Sequence, residues 1–574
     1  MNTKRKTLYN LKRADAGEWF SSVIKCQYAC PVHTNVPAYL KLLREGDFER
    51  AYRVNRYANL FPAILGRVCT HPCETACRRG RFDEPVSICA LKRATADYSE
   101  KGTELPLGLE TITEKQGKKV AIIGSGPAGL ACANDLALRG YDVVIYEALD
   151  RIGGMLNVGI PPYRLPRKLI QQEISRVMSA LGVEIKLNTP IGEKLTLGNL
   201  RKEYDAIFIA AGAHKPVKLG IEGENLKGVI HGVTFMRKAN LGESLEMGRK
   251  VAVIGGGNTA MDCARTALRL KADKVYLVYR RTRAEMPVVQ QEVEETEEEG
   301  IEIFYLTSPV RILTKDSETV SGLECIKNKL GEPDASGRKR PIPIEGSNFI
   351  LDVDTVIPAV SQAPDLSFLG KDVTLEVSKW DTLVVNPETL ETNQPGIFTG
   401  GDFVTGPRVL IEAIAQGHTA AQSIHGYLIH GEVPQKRARF RVVKDYKPPN
   451  EYDTLPRGKP CTRPVNERSG FDTEVDLGLS KEAIQRDAMR CFQCRLNIVI
   501  DSKKCILCGG CVDVCPNECI RMVSLSRVKG LENSPKKGSV LVLNEERCMR
   551  CGLCVRRCPT KAIRMVEFTQ EESN

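Results

Sequence analysis

Two cysteine runs close to the C-terminus restrict this chain more than any other feature. They read Cys505-x2-Cys508-x2-Cys511-x3-Cys515-Pro516 and Cys548-x2-Cys551-x2-Cys554-x3-Cys558-Pro559. Three closely spaced thiols, then a fourth ahead of a proline, is the ligand spacing of paired [4Fe–4S] clusters, in which each run's last Cys serves the other run's cluster. The spacing therefore predicts one cluster on Cys505, Cys508, Cys511 and Cys558, and a second on Cys548, Cys551, Cys554 and Cys515. Zinc usually takes two pairs of ligands, a pattern neither run has. Clusters of this kind carry single electrons, so the rest of the chain must supply a source and an exit for them.

The 574 residues leave room for several domains. With 42% apolar and 27% charged residues the composition is that of ordinary globular protein. No apolar run approaches the length of a membrane span. The basic N-terminal stretch MNTKRKTLYNLKRADAGEWF has no apolar segment of the secretory kind. Twenty-one cysteines without an export signal point to metal ligands in a reducing cytoplasm rather than to disulfides. The net charge of +11 is dispersed, with no basic stripe interleaved with aromatics, so nucleic acid is not the expected partner. An acidic electron-carrying protein, steered by long-range attraction, fits the charge.

Residues 119–147 run KVAIIGSGPAGLACANDLALRGYDVVIYE. An apolar strand leads into Gly124-x-Gly126-x-x-Gly129, Pro127 and Ala128 open a helix, and a second strand ends at Glu147. Gly124 makes the tight turn, Gly126 lets the backbone approach a pyrophosphate, and Gly129 allows close helix–strand packing. The helix N-terminus suits phosphate, and Glu147 suits a ribose hydroxyl. The segment that follows, RIGGMLNVGIPPYRLP, contains no Cys, and its Gly154, Met155 and Leu156 are read as cofactor contacts. Farther on, PGIFTGGDFVTGPRVLIEAIAQGHTAAQSI places Gly401 and Asp402 between a strand and a helix. This resembles flavoproteins whose FAD domain is split by an insertion. The resemblance implies FAD, with Asp402 on the ribityl chain.

Residues 250–281 repeat the logic in KVAVIGGGNTAMDCARTALRLKADKVYLVYRR. Here the fingerprint is Gly255-x-Gly257-x-x-Ala260, with Asn258 and Thr259 at the helix start. The second strand ends in Arg280 and Arg281, not an acid. Guanidinium groups match a 2′-phosphate, so the expected cofactor is NADPH. A flavin accepts a hydride as two electrons and releases them singly, which is what iron–sulfur clusters need. No Cys pair stands beside the flavin segment, and Cys263 is alone after Asp262. A dithiol relay is excluded, and electrons must leave through the clusters.

Six more cysteines lie between residues 26 and 89: Cys26-x3-Cys30-Pro31, Cys69-x3-Cys73-x3-Cys77, and Cys89. A spacing of four puts side chains on one helical face, and the intervening YLKLLREGDFERAYRVNRY has helical periodicity. In a reducing compartment such cysteines read as cluster ligands. The segments KCQYACPVHTNVPAYL, GRVCTHPCETACRRG and PVSICALKR resemble the N-terminal helical domain of glutamate synthase small subunits and dihydropyrimidine dehydrogenase. With GIPPYRLP, YRRTRAEMP and GGDFVTGP the resemblance extends over roughly residues 20–430. It implies one or two N-terminal [4Fe–4S] clusters, but two upstream cysteines of those relatives are missing, Glu18 and Ser21 lying near their places. Cys491-x2-Cys494 brings the number of candidates in and around this region from six to eight, the requirement of two clusters. The expectation is that Cys491 and Cys494 fold back to complete the second. Cys132, Cys263, Cys325, Cys461 and Cys519 are read as packing residues or bystanders, and His214 and His418 as packing or surface residues rather than catalysts.

The expected fold is a multidomain α/β chain. It comprises an all-α iron–sulfur domain (1–115), an FAD domain in two pieces (116–240 and 360–432) and an NADPH domain nested between them (241–359). The two nucleotide-binding domains are Rossmann-like. A Pro- and Arg-rich linker or wrapping arm (433–490) precedes an α+β ferredoxin-like unit (491–574). The acidic run QQEVEETEEEG is read as a solvated helix. The expected function is electron transfer between NADPH and [4Fe–4S] clusters through FAD, and on to a ferredoxin or a catalytic partner subunit, with flow in either direction. Hydride transfer needs positioning more than acid–base chemistry, so no catalytic side chain is singled out. The alternatives are a glutamate synthase small subunit feeding a glutaminase-bearing partner, and a non-catalytic wire or scaffold.

Overall fold

The computed structural model describes residues 22–99, 114–334, 337–370, 372–430, 436–528 and 538–572. The basic N-terminal stretch, with Glu18 and Ser21, lies outside the described residues, as does the start of the arm. Strand Lys119–Ile123 is buried at every position after its first, as a parallel strand covered on both faces must be. It lies in the middle of a five-stranded parallel sheet ordered Ile397–Thr399, Ala206–Ile209, Lys119–Ile123, Asp142–Tyr146, Glu184–Lys186. The chain leaves this sheet after Ile209 and returns to it only at Ile397. Between these points it builds a second parallel sheet, ordered Thr355–Pro358, Lys250–Ile254, Lys274–Val278, Glu302–Phe304. An antiparallel sheet around the long strand Val320–Pro333 is attached to it. One nucleotide-binding fold is thus nested inside another.

The N-terminal region is helical. The stretch with helical periodicity forms two helices, Val36–Arg44 and Phe48–Asn59, separated at Gly46. Asn35 and Asp47 cap them by accepting hydrogen bonds from the amides of Ala38 and Arg50. The cysteines at intervals of four do not share one helix. Helix Pro62–Val68 stops at Cys69, and His71 takes a left-handed conformation before the short helix Pro72–Thr75.

The Pro- and Arg-rich segment wraps the molecule. Its strand Lys436–Val443 pairs with the last strand, Ile563–Glu572, which also pairs with Leu496–Ile500. Its helix Lys481–Met489, capped by Ser480, packs Ile484 and Ala488 into one apolar core with Val36, Tyr39 and Leu40. Phe492 and Phe568 share that core, so the two ends of the chain fold as a unit. Its lack of hydrophobic periodicity has a physical reason: much of the seam is built from charge and backbone carbonyls. The fully buried Arg490 donates to the carbonyls of Leu455, Pro85 and Glu84 and pairs with Asp487. Arg79 donates to the carbonyls of Tyr452 and Asp453.

The acidic run departs from the expectation of a solvated helix. Helix Gln290–Glu298 turns carboxylates inward, where Glu295 and the following Glu299 pair with buried Arg265. Glu299 also binds Arg269, and Glu292 binds Arg164 of the flavin half. Buried guanidinium groups need such partners, so the charge run serves packing between the halves. Among the described residues no helix is long and apolar enough to cross a membrane.

Candidate active site

At the first fingerprint Gly124 has φ of +102°, and a Cβ there would lie 2.5 Å from the Ala210 carbonyl oxygen. A Cβ on Gly129 would lie 2.1 Å from the Gly124 oxygen, so the helix can approach the strand only with glycine at this position. Gly126 differs: its missing Cβ would face open space, the cradle a pyrophosphate needs. Glu147 accepts hydrogen bonds from the Ser125 amide and hydroxyl and from the Leu149 amide, which fixes its carboxylate at the strand end. The returning chain brings Gly401 with φ of +69°, its amide donating to Gln416 Oε1. Burial pushes the Asp402 carboxyl up to about 6, against the Arg408 amide hydrogen bond that lowers it.

The second fingerprint has the same form. A Cβ on Gly255 would lie 2.4 Å from the Ala359 oxygen, while Gly257 again faces open space ahead of helix Asn258–Arg269. The two strand-end arginines part company. Arg281 is buried, donating to the Lys339 carbonyl and pairing with Asp334 at 2.7 Å, and so holds the adjoining hairpin. Arg280 is exposed.

Both fingerprints open into one cavity of about 740 Å³. Its walls include Gly126, Glu147, Gly154, Met155, Leu156, Gly401 and Asp402 from the first half, and Gly257, Asn258, Thr259 and Asp262 from the second. The volume is in the range of large cofactor sites. The glycine cradles, the two helix N-termini and the ribose-facing acid fit two dinucleotides. No cysteine is among its lining residues. His214 lines it as well, its imidazole pulled down by burial. His418 lies elsewhere, between Asp135 and the Ala58 carbonyl. Val68 and Thr70, the neighbours of Cys69, form part of the cavity wall.

The thiols are all free, and the sixteen expected ligands fall into four groups. At the C-terminal end, burial first and then the charges of Cys505, Cys508 and Cys558 raise the Cys511 thiol. Cys554, buried and raised to about 12, responds next to Cys548, Cys551, Cys511 and Cys515. Each run turns through left-handed residues at matching positions, Leu507 and Gly509 in one, Arg550 and Gly552 in the other. At the N-terminal end, buried Cys73 is close to Cys69 and Cys30, and the Cys89 thiol donates to the carbonyls of Leu65, Gly66 and Cys69. Cys26, Cys77, Cys491 and Cys494 line a separate small cavity. Thiols crowded in this way cannot all ionise without a cationic centre among them, and a soft iron cluster suits an all-thiolate set.

Three features of this arrangement have no spacing signal. Lys92 is buried beside Cys69, Cys89, Cys73 and Cys30, with Asn59 Oδ1 3.5 Å from its ammonium. Arg78 is buried between Cys494 and the Cys548 carbonyl. Cys519, read as a packing residue, has its sulfur 3.1 Å from that of Cys515 and lines the same cavity as Cys548, Cys551 and Cys554. Cys132, Cys263 and Cys325 are buried in apolar cores, and Cys461 is exposed.

Comparison with known proteins matches three parts of the chain to family models. Residues 118–417 match the pyridine nucleotide-disulphide oxidoreductase model. Residues 21–103 match dihydropyrimidine dehydrogenase domain II, 4Fe-4S cluster, and residues 504–562 match the 4Fe-4S dicluster domain. The chain is 44% identical over 500 residues to the NADP(+)-dependent formate dehydrogenase subunit beta of Moorella thermoacetica, covering 82% of this chain and 70% of that protein. It is 40% identical over 504 residues to the NADPH-Fe(3+) oxidoreductase subunit beta of Geobacter sulfurreducens, covering 82% and 75%. It is 36% identical over 419 residues to the glutamate synthase [NADPH] small chain of Azospirillum brasilense, covering 70% and 86%.

Proposed function

The chain belongs to the pyridine nucleotide-disulphide oxidoreductase family, and from that premise we propose an electron-transfer subunit that oxidises NADPH and delivers single electrons to a partner protein. The observation that carries this reading is the shared cavity: both nucleotide cradles open into it, and the residues on either side of Cys69 form part of its wall. When bound, FAD exchanges a hydride with NADPH and gives up electrons singly, and the [4Fe–4S] clusters carry them onward. With no cysteine on the cavity wall, the disulfide chemistry in the family's name has no place here.

The chain's own residues hold and orient. The backbone at Gly126 approaches the FAD pyrophosphate, Glu147 accepts from its ribose, and Asp402 with the Gly401 turn bounds the flavin end. Gly257, Asn258 and Thr259 receive the NADPH pyrophosphate at a helix N-terminus. Arg280 meets the 2′-phosphate, because Arg281 is engaged in the hairpin. Cys30, Cys69, Cys73 and Cys89 hold the cluster nearest the cavity. Cys505, Cys508, Cys511 and Cys558 hold a C-terminal one, and Cys548, Cys551, Cys554 and Cys515 its neighbour. A catalytic subunit in a reducing cytoplasm is the partner this reading favours. Two similar proteins are beta subunits that align over more of this chain than the glutamate synthase small chain does.

Anaerobically purified protein should reduce a viologen with NADPH, at least about tenfold faster than with NADH. Arg280→Ala should erase most of that preference, a loss of about 2 kcal/mol of charge-assisted bonding. Absence of turnover at full FAD and iron content would instead favour the wire reading.

A further inference from the structure

Cys26, Cys77, Cys491 and Cys494 come from three stretches of chain and meet at one buried cavity walled by Val36, Leu40 and Phe492. Cys26 and Cys494 are buried in one apolar core, and Cys77 and Cys491 pack against it. The turn that presents Cys491 and Cys494 has a distinctive form. Gln493 takes φ of +51°, the left-handed conformation that Leu507 and Arg550 take two residues after the first Cys of each C-terminal run. The Gln493 amide lies 3.4 Å from the Cys491 sulfur. Arg78 also lines the cavity, with one guanidinium nitrogen 3.8 Å from the Cys494 sulfur and its Nε buried without a partner. The matched N-terminal family model ends at residue 103 and includes neither Cys491 nor Cys494.

We propose that these four cysteines bind a fourth [4Fe–4S] cluster, and that this seam site is the link between the N-terminal cluster and the C-terminal pair. The proposal rests on the electron-transfer reading above and adds an order to it. On the flavin side, Cys26 and Cys73 are buried in the same core. On the other side, Arg78 donates to the carbonyls of Glu545 and Cys548 while it faces Cys494. Arg550 likewise donates to the carbonyls of Glu545 and Cys548. Cys511, Cys548 and Cys554 then share one buried core, which brings the last group within reach. In each transit one electron enters the seam site from the Cys73 side and one leaves toward Cys548, so the site ends unchanged. NADPH is the donor and the partner protein the final acceptor, taking one electron at a time.

The test uses the full chain purified without oxygen. The wild type should carry about sixteen irons, and Cys491→Ser with Cys494→Ser about twelve. In that variant NADPH should still bleach the flavin, while reduction of the C-terminal clusters, followed by electron paramagnetic resonance, should slow by at least about tenfold. Dithionite should still reduce them. Cys26→Ser with Cys77→Ser reaches the same site from the other end of the chain and should lose the same four irons and the same spectral component. Twelve irons in the wild type, one zinc in place of four irons, or different losses in the two double variants would overturn the assignment. Failure of NADPH to bleach the flavin of the wild type would instead refute the underlying function, whatever the iron content.

Discussion

Cys505, Cys508 and Cys511 sit within one short loop, and the second run repeats that loop with the same left-handed turns. The seam is built differently, for Arg78 and Cys494 meet although they stand 416 positions apart in the sequence. A local loop fixes its sulfurs through backbone conformation, whatever else the protein does. The seam sulfurs meet only because a helix from the arm packs its apolar face against the N-terminal helices. The C-terminal pair is therefore set by local sequence, whereas the seam sulfurs report on assembly of the whole chain. An electron route that crosses the seam operates only in the fully folded protein.

The strongest challenge to this contrast is Cys519. Its sulfur is 3.1 Å from that of Cys515, yet it lies outside the spacing rule. If backbone spacing selects the ligands, Cys515→Ala should cost about four irons and Cys519→Ala none, by iron and sulfide analysis. Retention of iron in Cys515→Ala would mean that proximity can substitute for spacing, and the two regions would differ less than claimed.

Lys92 sharpens the comparison next. A buried ammonium beside Cys69, Cys89, Cys73 and Cys30 makes that environment more positive, which favours the reduced state of a bound cluster. Lys92→Met should lower the potential of that centre by about 60 mV, a decade in a one-electron equilibrium. Redox titration should find the C-terminal centres unmoved, and a common shift in all centres would point to a global rearrangement.

The smallest effect concerns how the N-terminal helices are anchored. His418 pairs with Asp135 at 2.7 Å and with the Ala58 carbonyl. Burial pulls the imidazole down, but Asp135 outweighs it, and the net shift is upward. A raised histidine stabilises fully below its unfolded value of about 6.5, and the contribution fades as pH climbs through the folded value. Between pH 6 and 9 the helix Phe48–Asn59 should lose about 1 kcal/mol of protection in hydrogen exchange. Helix Lys481–Met489 is tied at its end by the Arg490–Asp487 pair and by carbonyls, and should change less.

Much of the chemistry could be read directly along the chain. Strand, glycines and terminal acid stand in register at the first fingerprint, because a turn around a pyrophosphate needs those residues in that order. The second fingerprint was legible to the same depth, but its arginine pair was not. Nothing in the run Arg280-Arg281 says that the second guanidinium turns toward Asp334 and a neighbouring hairpin. The acidic helix 290–300 was legible on one face only: Glu294, Glu297 and Glu298 are exposed, while Glu292, Glu295 and Glu299 meet Arg164, Arg265 and Arg269 from other elements. The resemblance over residues 20–430 made six N-terminal cysteines legible as ligands without dividing them into groups.

The amino-acid order alone determined which local loops can grip phosphate or iron, because φ preferences, glycine cradles and short spacings act within a few residues. Which distant groups stand together was decided only by the folded chain: Cys26 and Cys77 beside Cys491 and Cys494, Lys92 among four thiols, Val68 and Thr70 on the cofactor cavity. Those meetings depend on how apolar faces and buried arginines pack across hundreds of residues, and pairwise packing of that kind leaves no periodic trace in a one-dimensional string.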